Sequence, residues 1–457
     1  MDATLVTAWK AVCQLLEPAF SGPTFVTFLH VATGWVLCRS KPTVTNLVCT
    51  IGASLLGHAA KHWTVYERFF SRAVWSLDYV SQRLLTYVVA PVVLQCATEA
   101  VIDLAIDDTT HARHGKHVAF AGYFKDASAS NTARTVVRWA HNWVVACVTL
   151  RPKRWPNWVI GLPVLFALYR KRVDCDRCHA FVTHQQLAAG MISFVRESLP
   201  DWAIRVAADG AYATRTVVDA ASASHTNLVS RMRSDAAIYT LPPSGRRARR
   251  GRKPKKGARL PTPKQMAARR RKGWRTISAR VYGQVVQRQV LSIVCLWYHV
   301  GRDRPVKLLI VRDPIGKERD DFLFCTDPTT DDTEILERFA ARWPIEECFR
   351  DAKQYGGFEA VQGWCPRTVQ RQAPMALIVQ TLVKAWYLIH GAKSKRAQPG
   401  GSNVCGWLSE KEHPSYLDML ATLRHVLWDE RINHNSTLGI RLHEIWKTLQ
   451  FTLCAAA

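Results

Sequence analysis

The sequence is short of negative charge. Against 62 Lys and Arg it sets only 36 Asp and Glu, a formal net charge of +26 over 457 residues. Such an excess favours a polyanionic partner, nucleic acid first and an anionic membrane surface second, over a merely solvated basic face. Long apolar runs are also missing. The longest, Trp158 to Tyr169, falls below the ~18 residues that span a bilayer, which predicts a soluble protein. Residues 1–20 carry Asp2 and Glu17 without a basic segment ahead of an apolar one, so they do not read as a secretory signal. An evenly counted cysteine framework is absent too. The 13 cysteines are odd in number and scattered, which predicts a reducing cytoplasm. No internal repeat is found. What remains is ordinary globular composition, 48% hydrophobic and 21% charged, in a chain long enough for roughly two to four domains.

Residues 1–95 show apolar positions at helical spacing in Thr43–His62 and Tyr66–Val89 and no strand alternation. Their aromatic cluster, Trp63, Tyr66, Phe69, Phe70 and Trp75, reads first as a core stripe with a basic outer face. From residue 98 the pattern changes. Strand-like runs at Glu99–Asp108, Trp143–Leu150, Trp158–Tyr169 and Ala203–Ala208 combine with helical patterns at Thr183–Ser198 and Thr214–Ser222. This predicts an α/β fold whose mixed sheet is covered on both faces. Residues 246–275 then hold 15 Lys and Arg and no acid, a basic arm rather than a core element. Thr276–Tyr282, Gln284–Tyr298 and Val306–Val311 alternate like antiparallel strands, with one more strand at Phe322–Phe324. Asp332–Tyr355, Thr368–His390, Tyr416–Val426 and Ser436–Leu449 read as helical.

Three acidic positions stand out. Asp108, with Asp107 beside it, ends the first core strand. Asp209 ends another, in Ala-Asp-Gly-Ala-Tyr. Glu346 sits just after Pro344, which suits a helix's first turn, where a carboxylate is favoured by the helix dipole. Carboxylates at strand ends can converge on one sheet edge. Converging carboxylates call for hard divalent cations, Mg²⁺ or Mn²⁺, and two such ions suit in-line phosphoryl displacement. Arg350 and Lys353 follow Glu346 one and two turns on, which fits phosphate contacts beside a metal-holding glutamate and equally fits a surface salt-bridge ladder.

Phe339-x2-Arg342-x3-Glu346-x6-Lys353 resembles the Tyr-Arg-Glu-Lys signature of bacterial insertion-sequence DDE transposases, the hairpin-forming group, with Phe339 in place of the usual Tyr. Leu104-Ala105-Ile106-Asp107-Asp108-Thr109-Thr110 is similar to that family's first-Asp motif and Ala208-Asp209-Gly210-Ala211-Tyr212 to its second. The resemblance runs over about residues 25–390. It implies a ribonuclease H-like mixed sheet with flanking helices, a mostly β insertion, and helical N- and C-terminal regions. It implies a catalytic, metal-holding triad of Asp108, Asp209 and Glu346, with Asp107 as the competing first acid, and two Mg²⁺ ions for which Mn²⁺ substitutes. Activity would be DNA cleavage and strand transfer at terminal inverted repeats, cut-and-paste with a hairpin intermediate, by a homodimer on double-stranded DNA. A nucleoid-associated place in the cytoplasm would follow.

DNA contacts are expected from Phe339, Arg342, Arg350, Lys353 and Tyr212, with Trp343 and Trp297 as stacking platforms for an unstacked base. Lys116 and the basic run Arg250, Arg252, Lys253, Lys255 and Lys256 would meet phosphates. The expected divisions are a helical DNA-binding region 1–95, a catalytic domain in two parts, 96–241 and 321–392, a basic arm with β insertion at 242–320, and a helical region 393–457. A catalytically idle DNA-binding relative and a metal-dependent nuclease on the same fold are the rival readings. Cys175-x2-Cys178 with His179 and His184 lacks a second pair and reads as an incidental loop. His111, His114 and His117 read as a polar turn.

Overall fold

The N-terminal region is helical, with one interruption. A computed structural model of the chain describes residues 2–126, 129–131, 133–176, 179–243, 254–393 and 411–434. Helices α1 (Asp2–Gln14), α2 (Gly22–Leu37) and α3 (Val44–Ile51) come first. The helix expected over Thr43–His62 stops at Ile51. Gly52 leaves it at φ +64°, and a small hairpin follows, β1 (Ser54–Leu55) with β2 (His58–Ala59). Helices α4 (Trp63–Ser71), α5 (Leu77–Arg83) and α6 (Ala90–Cys96) complete the region, with a π-helical stretch at Leu84–Val89.

The sheet begins with β3 (Ile102–Ala112), β4 (Gly122–Lys125), β5 (Val137–Leu150), β6 (Ile160–Tyr169), β7 (Ile204–Ala208) and β8 (Asn227–Arg231). β3 lies antiparallel to β5, and β5 antiparallel to β6. On its other side β3 runs parallel to β7, and β7 parallel to β8. The order β6-β5-β3-β7-β8, three antiparallel strands joined to a parallel pair, is the expected ribonuclease H-like arrangement. β5 is buried from Ala140 to Leu150, which explains its almost unbroken apolar run: both faces are covered. α7 (His184–Ser198) and α8 (Arg215–Ala223) provide the crossovers, α7 started by a capping box of Thr183 and Gln186.

The insertion continues this sheet. After α9 (Pro263–Arg269), a helix inside the stretch expected to be a basic arm, come β9 (Arg275–Val281) and β10 (Gln284–Cys295). Their two-residue turn, Tyr282-Gly283, has φ +51° and +83°, as a tight hairpin requires. The single turn α10 (Tyr298–Gly301) leads to β11 (Val306–Arg312) and β12 (Asp321–Cys325). β12 pairs with β8, so the insertion and the catalytic core share one ten-stranded sheet. α11 (Asp332–Ala340) covers one face of the insertion through Ile335, Leu336 and Phe339.

α12 (Pro344–Gln354) and the long α13 (Pro366–Ile389) follow, then α14 (Tyr416–His434). α13 is buried from Thr368 to Leu388 except at Gln370, so it is covered on every side, its Arg371, Gln380 and Lys384 included. It joins the N-terminal helices to the sheet. Arg371 donates to the carbonyls of Ala73 and Trp75, Trp386 to Leu5 O, and Arg424 of α14 to Val36 O and Cys38 O. Tyr66, Phe69, Phe70 and Trp75 are core residues, while Trp63 is exposed. Among the described residues no helix is long and apolar enough to cross a membrane. The helix expected at Ser436–Leu449 lies outside the described residues, as do Arg250, Arg252 and Lys253.

Candidate active site

Strand alternation separates the two neighbouring acids of β3. Asp103 and Asp107 project towards α11 and α12. Asp103 binds Arg205, which reaches Glu334 of α11. Asp107 accepts from Arg342 at 2.5 Å, and the other guanidinium nitrogen holds Glu346 at 2.8 Å. Arg342 therefore bridges the β3 carboxylate and the first turn of α12. Asp108 points the other way. Its oxygens accept from the Tyr212 hydroxyl at 3.1 Å and the Asn142 amide at 2.9 Å. The two acids stay linked by the Asp108 amide, which donates to the Asp107 carboxylate at 2.8 Å.

Asp209 follows β7 and caps the turn Gly210–Tyr212 through the Ala211 amide. Because Ile106 is level with Ala208 in the parallel pairing, Asp107 and Asp209 leave the sheet side by side. Burial pushes the Asp107 carboxyl up to about 7, with the charges of Asp108 and Asp209 adding and Arg342 opposing. Burial also lifts the Tyr212 hydroxyl, and Asp108, Asp107 and Asp209 all raise it further.

The helix carrying Glu346 is anchored from behind. Lys384 of α13, fully enclosed, donates to Gly161 O at 3.0 Å and meets the Cys348 sulfur at 3.2 Å. Gly161 has no room for a Cβ, which would stand 2.9 Å from the sulfurs of both Cys147 and Cys348. The close approach of β6 and α12 depends on that glycine.

The other expected site residues divide. Trp343 is 43% exposed beside Glu346, and its ring meets the Tyr282 ring edge-on at 5.6 Å. Tyr282, at the insertion's hairpin tip, is 64% exposed. Partial burial of its hydroxyl raises that group, which feels Arg231, Arg342, Asp321 and Glu346. Sequence reasoning missed Tyr282, although Tyr-Gly before an alternating run is a hairpin signal. It also missed Asn142, a lone amide in an apolar strand. A cavity of about 660 Å³ opens beside this pair, lined among others by Arg151, Arg154, Arg280, Trp158 and Glu347.

Trp297 does not serve as a second platform. It is 4% exposed and packs edge-on against Phe324, so the insertion's core takes it. Phe339 is 7% exposed beneath Arg231 and Arg342, and Tyr212 is fully buried, so neither ring is open to DNA. Arg350 is exposed and lies 3.6 Å from Asp351. Lys353 is half-buried, its ammonium lowered by burial and sustained by Glu359 and Asp126. Lys116 is exposed in the turn after β3, as are His114 and His117, while His111 is buried. Lys255 is exposed, and the Lys256 ammonium lies 4.0 Å over the Tyr239 ring.

Residues 16–285, more than half of the chain, match the DDE superfamily endonucleases. The chain belongs to this family. The match takes in Asp107, Asp108 and Asp209 and, of the insertion, β9 and the turn after it, and stops before Glu346. No curated protein matches the chain. Membership supports a nuclease or transposase-like enzyme with DNA as its substrate. DDE endonucleases generally use divalent metal ions.

The donor set fits such an ion in chemistry. Asp107, Asp209 and Glu346 offer only oxygens, as hard cations require, and the Asp107 carboxyl is withdrawn from water with Asp209 close enough to act on it. Among the described residues no three acidic, histidine or cysteine side chains stand together as a closed ligand set, and Arg342 lies between two of the three carboxylates.

Proposed function

We propose that this DDE endonuclease is a DNA transposase that cuts and joins strands at the terminal inverted repeats of an insertion sequence. The observation that carries this reading is the Asp107–Arg342–Glu346 bridge beside Asp209, where β7 ends against the middle of β3. We take Asp107, rather than Asp108, as the first metal-holding acid, with Asp209 and Glu346. Bound there, two Mg²⁺ ions, or Mn²⁺ in their place, would stabilise the attacking and leaving oxygens of a phosphoryl displacement.

The chain's own residues do the rest. Tyr212 and Asn142 hold Asp108, whose amide in turn orients Asp107. Arg342 steadies Glu346 and would meet a phosphate oxygen when DNA enters, while exposed Arg350 contacts the backbone further along. Trp343 and Tyr282 form an aromatic pair at the site's mouth that suits an unstacked base, worth ~1–3 kcal/mol by stacking. Such a base accompanies the sharp bend of a hairpin-ended intermediate. Water or a 3′-hydroxyl attacks phosphorus in each step, the leaving 3′-oxygen takes up the proton, and the enzyme forms no covalent bond to DNA. A homodimer pairing two ends, acting at the nucleoid, completes the proposal.

The test is cleavage of labelled DNA carrying the element's flanking ends, with Mg²⁺, by wild type and Glu346→Gln. Hairpin-ended products that vanish in the variant support the transposase. Cutting of any duplex without end preference favours a nuclease. Binding without cutting, equal in both proteins, would overturn the catalytic reading.

A further inference from the structure

Three consecutive cations, Arg170, Lys171 and Arg172, follow β6, and each is held by an aromatic ring rather than an acid. The Arg170 guanidinium lies 4.2 Å over Phe120, the Lys171 ammonium 4.8 Å over Phe124, and the Arg172 guanidinium 4.3 Å over Phe181. Lys171 also donates to Tyr123 O at 2.8 Å, and its side chain fills the space over Gly122, where a Cβ would stand 2.9 Å from the Lys171 Cε. Phe120 takes φ +63° to offer its ring, an unusual conformation for an aromatic residue. Among the described residues none of the three cations is ion-paired. Of the acids next along the chain, Asp174 shares a turn with Arg172 but makes no ion pair with a described residue, and Asp176 is bonded to His179.

An aromatic face fixes a cation at a modest gain of ~0.5–1 kcal/mol at exposed sites without neutralising it. A carboxylate partner would have cancelled the charge. These cations are thus held in place with their charge still available. Their position in the sheet is informative as well. Tyr169 is level with Asn142, and Asn142 with Thr110, three residues past Asp107 on β3. Arg170 follows Tyr169, so at ~3.3 Å per residue along the strands and ~4.8 Å for each of the two strand steps from β3 to β6, the row begins roughly 16 Å from the candidate active site, at the same end of the sheet. Lys125 of β4 is exposed on the adjoining edge.

We propose that Arg170, Lys171 and Arg172 form a preorganised phosphate-binding ridge that holds the backbone of duplex DNA beyond the scissile position. This rests on the reading of DNA as substrate and adds where, outside the catalytic edge, the duplex is gripped. Phosphate contacts of this kind position without reading sequence, so the ridge raises affinity for any duplex long enough to reach it.

The test compares wild type with the triple variant Arg170→Gln, Lys171→Gln, Arg172→Gln in binding a labelled duplex across a salt series. Each lost phosphate contact lowers the slope of log affinity against log salt by about 1, so a drop of about 3 is expected. Shortening the duplex so that it ends at the cut should weaken wild-type binding and leave the variant unaffected. A triple variant that melts like wild type and keeps its full slope overturns the ridge. Should the triple variant fail to fold, Arg172→Gln alone, whose side chain is exposed, is expected to lower the slope by about 1, and an unchanged slope overturns the proposal equally. Failure of wild type itself to bind duplex would instead overturn the DNA reading on which the ridge rests.

Discussion

Asp107 and Arg342, 235 positions apart in the chain, form an ion pair of 2.5 Å. Arg342 carries that contact on to Glu346, so one guanidinium ties the central strand to the helix that follows the insertion. The pair also separates Asp107 from Asp108, which is held by two neutral donors.

Substitution should tell these two acids apart. Asp107→Asn is expected to lower the rate of DNA cleavage by on the order of 10³-fold, the scale of losing one preorganised electrostatic group. Asp108→Asn should cost on the order of 10–100-fold, as outer-shell partners do. Single-turnover cleavage at saturating Mg²⁺ measures both. The reverse ranking would make Asp108 the metal-holding acid.

Arg342→Gln removes the bridge and leaves Asp107 buried without its cation. Because the Asp107 carboxyl already sits at about 7, it can take up a proton. The stability loss in urea should therefore be ~1–3 kcal/mol rather than the ~3–5 of a broken, fully buried pair. Arg342→Lys keeps charge but not the two-pronged contact, and should recover more stability than activity. Equal recovery of both would place the role of Arg342 in the fold alone.

Two aromatic residues of the insertion should behave in opposite ways. Trp297→Ala should lower stability by ~3–5 kcal/mol, as emptying a core site does. Tyr282→Ala, at an exposed hairpin tip, should change stability by less than ~0.5 kcal/mol. It should nonetheless weaken binding of DNA with an unpaired base by ~1–3 kcal/mol. Thermal melts and competition binding on the same preparations check the pair.

Acid should destabilise the fold. Burial lowers His30 and His141 to about 4 and His111 well below its ordinary value. Between about 6.5 and 4 the unfolded chain binds protons at these sites that the native protein does not, so stability falls as pH drops through that window, by a few kcal/mol in all at ~1.4 kcal/mol per pH unit per group. Asp107 works the other way. Its native form keeps a proton up to about 7 and its unfolded form only to the ordinary carboxylate range. Urea titrations at pH 7 and pH 5 should show lower stability at pH 5, a smaller drop in His141→Gln and a larger one in Asp107→Asn. No change between the two pH values in Asp107→Asn, where the opposing carboxyl is gone, would exclude the buried neutral histidines.

Much of this was legible in local pattern. The mostly apolar run of β5, the strand ending at Asp209, the helical spacing of α7 and Pro344 at the start of α12 all act within a few residues. Backbone period, caps and proline need no distant partner to declare themselves. The helix read through Thr43–His62 failed because apolar spacing alone does not register the left-handed exit at Gly52.

The sequence by itself determined the α/β class, most of the strands in their order along the chain, and the placing of Asp209 after a strand and Glu346 at a helix start; the strand expected to end at Asp108 runs on to Ala112, because its pairing with β5 continues through polar residues, so Asp107 and Asp108 lie within β3. Only the tertiary structure decided which acid of the Asp107–Asp108 pair meets Arg342. Alternation says that neighbours on a strand face opposite ways, but not which face α12 will cover. The same holds for Trp297 and Tyr282, two aromatic residues of one insertion. One is buried and one presented at the site, because β12 pairs with β8 and so aims the hairpin tip at Trp343. Pairings between distant segments are chosen by burial summed over the whole sheet, and no single stretch of sequence carries that sum.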